Sequence, residues 1–146
     1  DGSRRLPGSE AQRLQAMTNS HRFVWVLGNH DPAPPAGLGG DPVAEYAVGP
    51  VVFRHQAVSA AGAGEVVGHH HPKATVQARA GTVSRPCFVS DGRRLMLPAF
   101  GAYTGGLDVR DPAIMRLFPR GGRVFLLGKE RLFSFEIARG GATRTG

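Results

Sequence analysis

Five consecutive apolar residues, Phe23-Val24-Trp25-Val26-Leu27, run straight into Gly28-Asn29-His30-Asp31. The run is rich in β-branched and aromatic side chains, so it reads as a buried strand. Behind it lies a loop broken by Pro32, Pro34, Pro35, Gly37, Gly39 and Gly40. A buried strand emptying into a polar, ligand-capable tip is how α/β proteins commonly build a site. The pattern recurs where Phe53-Arg54-His55 closes one apolar stretch and Gly68-His69-His70-His71-Pro72 closes another. Five of the six histidines therefore fall at the ends of predicted strands.

Around these stretches the chain reads as one domain of mixed elements. Ser9 precedes Glu10 to Met17, a short helix with a serine N-cap, an acid in its first turn and a stripe of Ala11, Leu14 and Met17 or Thr18. Asn19-Ser20 closes it. Val43 to Val48 and Val51 to Arg54, joined by Gly49-Pro50, make a hairpin. Glu65-Val66-Val67 is a short strand that delivers the histidines, and Thr75 to Arg79 alternates like a half-exposed strand. Arg85 to Ser90 and Arg94 to Pro98 pair across Asp91-Gly92. Gly101 to Gly106 is a glycine-rich loop, and Asp111-Pro112 opens a helix carrying Ile114, Met115, Leu117 and Phe118. Val124 to Leu127 and Arg131 to Ile137 complete the sheet. The Gly/Arg/Thr-rich tail 139–146 is expected to fray.

Composition excludes little. At 146 residues there is enough chain for one core, and 18 Lys and Arg against 11 acids give a formal charge of +7. That excess favours polyanionic partners through long-range attraction. Cys87 is the single cysteine, in a strand-like setting, so no intrachain disulfide exists and a buried inert thiol is expected. No apolar run nears the ~20 residues of a membrane span, and no signal peptide is visible, so the expected location is cytoplasmic. The chain opens on Asp1-Gly2-Ser3 rather than Met. This fits processing or a fragment, as does a helix–strand–loop start without a preceding strand.

The histidines carry the chemistry. On an extended segment His69 and His71 point one way and His70 the other, which makes a same-side pair suited to a borderline metal. An imidazole-rich solvated loop is the plain alternative for the triplet, a surface histidine for His55, and a turn residue for Asn29.

In their order, Gly28-Asn29-His30-Asp31, His55 and Gly68-His69-His70-His71 resemble the last three blocks of the calcineurin-like metallophosphoesterases. Gly-His-x-His-Pro, followed by Arg85-Pro86-Cys87-Phe88-Val89 and Leu97-Pro98-Ala99-Phe100-Gly101-Ala102-Tyr103-Thr104-Gly105-Gly106, is similar to one branch, the ligase-associated DNA damage response endonucleases. The likeness spans Ser9 to Ile137. It implies an α/β fold, a sandwich of mixed β-sheets flanked by helices, with residues 1–146 forming the C-terminal part of one such domain without its N-terminal strands. It implies two divalent cations, manganese first, with iron or zinc as alternatives. Asn29, His55 and His69 would bind one cation and His71 the other. His30 would act at the scissile phosphate, with Asp31 orienting its ring. The implied reaction is phosphodiester hydrolysis by a hydroxide activated between the two cations. DNA is the expected substrate, and a ligase, a helicase and an exonuclease are the expected repair partners.

The Asp-x-His and Gly-Asp blocks that such enzymes place earlier, and that supply the bridging carboxylate, have no match in residues 1–27. The 146 residues alone are therefore expected to be inactive. Two other readings stand beside the nuclease: a phosphatase or phosphodiesterase for small nucleotides, and a non-catalytic metal-binding scaffold. Tyr103 is weighed as a base-stacking ring, Arg93-Arg94 as a DNA-backbone contact, and the glycine-rich loop as a phosphate cradle. For each the plainer structural role is preferred, His70 is read as facing solvent rather than substrate, and His21 as an ordinary strand-entry residue.

Overall fold

The computed structural model describes residues 8–30, 32–34, 36–58, 64–78, 81–101, 104–128 and 130–137. The strands expected from apolar alternation form, and three of them run parallel through the middle of one mixed sheet. These are β4 (Val51–Arg54), β5 (Glu65–Val67) and β8 (Arg94–Met96). On one side β3 (Glu45–Val48) folds back on β4 across the Gly49-Pro50 turn, as expected, with Val48 opposite Val51. On the other side β7 (Gly81–Ser90), β9 (Gly122–Leu127) and β10 (Leu132–Ile137) extend the sheet antiparallel, giving the order β10-β9-β7-β8-β5-β4-β3. β6 (Lys73–Ala78) pairs with the first half of β7, while the second half of β7 pairs with β8 and β9.

The period-two pattern decides which face is buried. Val67, Met96, Cys87, Val89, Val124, Leu126 and Ile137 share one core cluster with Ala74 of β6. That core is completed by Val109, Ile114 and Phe118, from the segment containing the one-turn helix α2 (Pro112–Met115). α2 starts as its sequence dictates: Asp111 Oδ1 accepts from Ala113 N at 2.8 Å, and Pro112 occupies the first turn, where its missing N–H costs nothing. Residues facing the other way, Val66, Phe88, Leu95 and Phe125, are only half-buried.

Three expectations need correction, and one left open is decided. The first helix, α1, runs Gly8–Ser20, so Ser9 lies inside it rather than capping it, and the helix continues through Asn19-Ser20. Thr18 is the stripe residue that is buried, whereas Met17 is exposed. The Phe23–Leu27 run is not a buried strand of the main sheet. Its core, β1 (Val24–Val26), is half-buried and pairs in parallel with β2 (Asp41–Val43), a strand hidden in sequence by Pro42. Finally, helical flanking is sparse among the described residues, limited to α1 and the single turn of α2.

Beneath the parallel strands lies an ionic cluster. Glu65, 4% exposed, is bonded to Arg94 Nε, and Arg94 is 6% exposed. Arg54 Nε approaches the same carboxylate at 3.5 Å while its Nη2 meets Glu45 at 3.1 Å. The Arg94 guanidinium also donates to the carbonyls of Leu117 and Val58, and Glu65 Oε1 accepts from Val58 N at 3.2 Å. Adjacent β4, β5 and β8, the segment after His55 and the turn after α2 are thus tied to one carboxylate. Removing one partner of a buried pair strands the other charge, at a cost of about 3–5 kcal/mol. Glu65→Ala should lose stability of that size in urea denaturation; a loss under 1 kcal/mol would show the cluster to be dispensable.

Cys87 is fully buried, and burial, reinforced by Asp108, pushes its thiol up to about 12 from 9.0. A raised folded-state value means its contribution to stability is complete below pH 9.0 and disappears as pH climbs towards about 12. At about pH 8 the native thiol should resist disulfide-exchange reagents and react only on unfolding.

Candidate metal centre at the carboxyl ends of the parallel strands

Because β4, β5 and β8 run the same way, their carboxyl ends open at one rim. β4 delivers His55, β5 delivers Gly68 to His71, and β8 delivers the loop that begins at Leu97. Gly68 N donates to His55 O at 3.1 Å and Leu97 N to Val67 O at 2.8 Å, so the three exits are laced together. Asn29, from the end of β1, reaches the same rim although β1 belongs to the smaller sheet.

Three donor atoms converge there. Asn29 Oδ1 lies 2.6 Å from His55 Nε2, and His55 Nε2 lies 3.0 Å from His69 Nδ1. The two rings meet edge-on, with centroids 4.9 Å apart. One proton on His55 Nε2 can satisfy Asn29, but it then leaves His69 Nδ1 facing a nitrogen that has no lone pair to offer. With the proton on His69 instead, His55 turns a lone pair towards the amide oxygen. A divalent cation would accept a lone pair from each of these three atoms. Donors on adjacent vertices of a six-coordinate cation with bonds near 2.1 Å would lie about 3 Å apart, which the His55–His69 spacing of 3.0 Å matches and the Asn29–His55 spacing of 2.6 Å undercuts. Among the described residues no group of three or more His, Cys, Asp or Glu side chains is gathered for a metal, so the trio depends on its amide oxygen.

The histidine triplet departs from the extended geometry expected of it. His70 N bonds Gly68 O at 2.6 Å in a tight turn, and His69 and His71 take positive φ values of 44° and 48°. Left-handed backbone at non-glycine residues costs about 1–3 kcal/mol each and is held in place by its surroundings. Here the holding contacts come from the end of the glycine-rich loop. Leu107 N donates to His70 O at 3.2 Å, and Gly106 packs so closely on the His71 carbonyl that a Cβ would collide with it. Gly106 therefore has a packing role.

Burial is the main cause that lowers His71, followed by His69, His30 and Lys73, so its imidazole stays neutral and keeps a lone pair near neutral pH. His30, exposed, lies close enough to His71 to act on it electrostatically. Asp31 lies outside the described residues. His70 is not the solvent residue expected. It is half-buried, its ring stands edge-on to His69 at 4.9 Å, and its Nδ1 is buried with no hydrogen-bond partner among the described residues. Burial and then His69 and Arg116 lower its value, His71 adds slightly, and Asp111 opposes them. Of the remaining candidates, His21 is exposed beside Ser20 Oγ at 2.9 Å, Arg94 is committed to Glu65, and Tyr103 lies outside the described residues. Arg93 is exposed at a separate open cleft of about 990 Å³, shared with Arg120 and Arg123.

Two positioning residues carried only a faint sequence signal. Glu65 is an acid at the head of an apolar strand. Gly28 follows an apolar strand, and a Cβ there would stand 2.7 Å from His55 Nδ1. Gly28→Ala should therefore displace the His55 ring and separate it from Asn29 and His69. Imidazole nitrogen NMR would show shifted His55 and His69 signals with an unchanged core spectrum, and unmoved signals would contradict the packing argument.

No family model and no curated protein matches this sequence. Among solved structures, the chain resembles the crystal structure of the Pseudomonas putida nuclease MPE, with a TM-score of 0.64 and 26% identity. The match covers 88% of this chain and 62% of the nuclease, so the chain spans less than two thirds of that protein's length. The mixed sheet is thus a fold shared with a nuclease.

Proposed function

We propose that this protein is a metal-dependent phosphoesterase that hydrolyses nucleic-acid phosphodiesters, acting as a DNA endonuclease in repair. The observation that carries the proposal is the convergence of Asn29 Oδ1, His55 Nε2 and His69 Nδ1 at one strand-end rim. The fold shared with the Pseudomonas putida nuclease supports the reaction class, and a formal charge of +7 supports a polyanionic substrate over a small nucleotide.

In this reading Asn29, His55 and His69 hold one divalent cation and His71 contributes to a second, with manganese the expected ion. Such cations polarise a phosphate and make water a nucleophile near neutral pH. The protein's own part is to keep the ligands neutral and fixed. Gly28 and Gly106 admit His55 and the His71 backbone, and partial burial keeps His71 uncharged. His30, beside His71 and open to solvent, is placed to stabilise charge on the phosphate or pass a proton to the leaving oxygen, with Asp31 next in sequence to orient it. A metal-binding module without turnover is the competing reading, favoured by the lack of a carboxylate among these donors in the described residues.

The test is manganese-dependent hydrolysis of an aryl phosphodiester, then of DNA, by the intact protein. Chelation should abolish activity, manganese should restore it, His69→Ala should reduce metal affinity, and His30→Ala should slow turnover by about 10²–10⁴-fold with metal still bound. Manganese bound stoichiometrically with no hydrolysis of any diester would leave the non-catalytic module standing.

A further inference from the structure

We propose that Phe100 is a nucleobase platform on the rim of the histidine cluster, stacking one unpaired base of the nucleic acid whose backbone lies at the site. The proposal rests on the nucleic-acid reading above and adds a base-binding subsite to it. Phe100 is the most exposed of the large apolar residues described, with its whole ring in solvent. Its position is set by the loop that bears it. Leu97, where the loop leaves β8, is bonded to Val67 O at 2.8 Å, two residues before His69. At the far stem, Leu107 is bonded to His70 O at 3.2 Å and Gly106 packs on the His71 carbonyl. Both ends of the loop are therefore fastened to the histidine-bearing segment, and Phe100 lies three residues beyond the Leu97 anchor on the loop that rises from this rim.

The chemistry of the ring selects its partner. A docking surface for another protein needs a contiguous apolar patch. Among the described residues of the loop Phe100 is the one aromatic ring, beside Gly101 and the half-buried Ala99. One flat ring matches one base, because every base has an apolar π-face and stacking tolerates any sequence. A base paired within a duplex has no free face, so the platform takes a base that is single-stranded or turned out of the helix.

Equilibrium binding separates this proposal from the hydrolase reading. The intact protein would be titrated, by fluorescence anisotropy, against a phosphorothioate-protected oligothymidylate and against an abasic oligonucleotide of the same backbone. The wild type should bind the base-bearing strand about tenfold more tightly than the abasic one. Phe100→Ala should erase that ratio by weakening only the base-bearing complex, and Phe100→Trp should keep it. An unchanged ratio in Phe100→Ala, or equal affinities in the wild type, would overturn the platform. Cleavage of an unprotected strand is scored separately. A base-dependent ratio without cleavage sinks the hydrolase reading alone, whereas cleavage without the ratio sinks the platform alone.

Discussion

The carboxylate of Glu65 is the constraint on which the site's geometry depends. A buried charge is tolerated only when paired and hydrogen-bonded, and this one is shared by Arg94 and Arg54 while also accepting from the backbone of Val58. Each partner belongs to a different neighbour: Arg94 to β8, Arg54 to β4, Val58 to the segment after His55. One group therefore sets how three parallel strands and a loop stand relative to each other. A buried ion pair adds less net stability than an apolar trio of equal volume would. Its effect here is specificity, because few registers of β4, β5 and β8 bring both arginines to one carboxylate.

That register is what the rim inherits. Arg54, the last residue of β4, reaches Glu65 at the start of β5, and the two strands end level, Arg54 opposite Val67. His55 and His69 then face each other at 3.0 Å across the top of the sheet. The opposite demands of the two ends are met by opposite means. Below, Glu65 and Arg94 are buried and paired, while Arg54 Nε stands 3.5 Å from the same carboxylate without a hydrogen bond. Above, the imidazoles of His55 and His69 meet the Asn29 amide, with the backbone of His69 and His71 kept at positive φ by the contacts of Gly106 and Leu107.

Much of this was legible in the residues. Apolar alternation located the strands, Gly49-Pro50 and Asp91-Gly92 marked two turns, and Asp111-Pro112 marked a helix start, because each of these signals acts over a few residues. Strand ends located Asn29, His55 and His69 one by one, and the family resemblance is what grouped them. The failures were of a different kind. β2 was invisible because Pro42 argues against a strand, and only a parallel partner at an edge, where no N–H is needed, makes it one. His69 and His71 were read as extended neighbours because a local reading has no term for the Gly106 backbone pressing on His71 from about thirty-five residues away. Arg94 looked like a solvated turn residue because its partner, Glu65, is distant in sequence.

The sequence by itself determined roughly where most strands lie, which of their residues alternate towards a core, and that the histidines fall at strand tips, since side-chain alternation and turn chemistry are properties of neighbouring residues. The tertiary structure decided which tips meet. Whether His55 touches His69, whether Gly28 leaves room for an imidazole, and whether an arginine is a surface charge or a buried clamp all depend on parallel pairing between segments that no local signal connects.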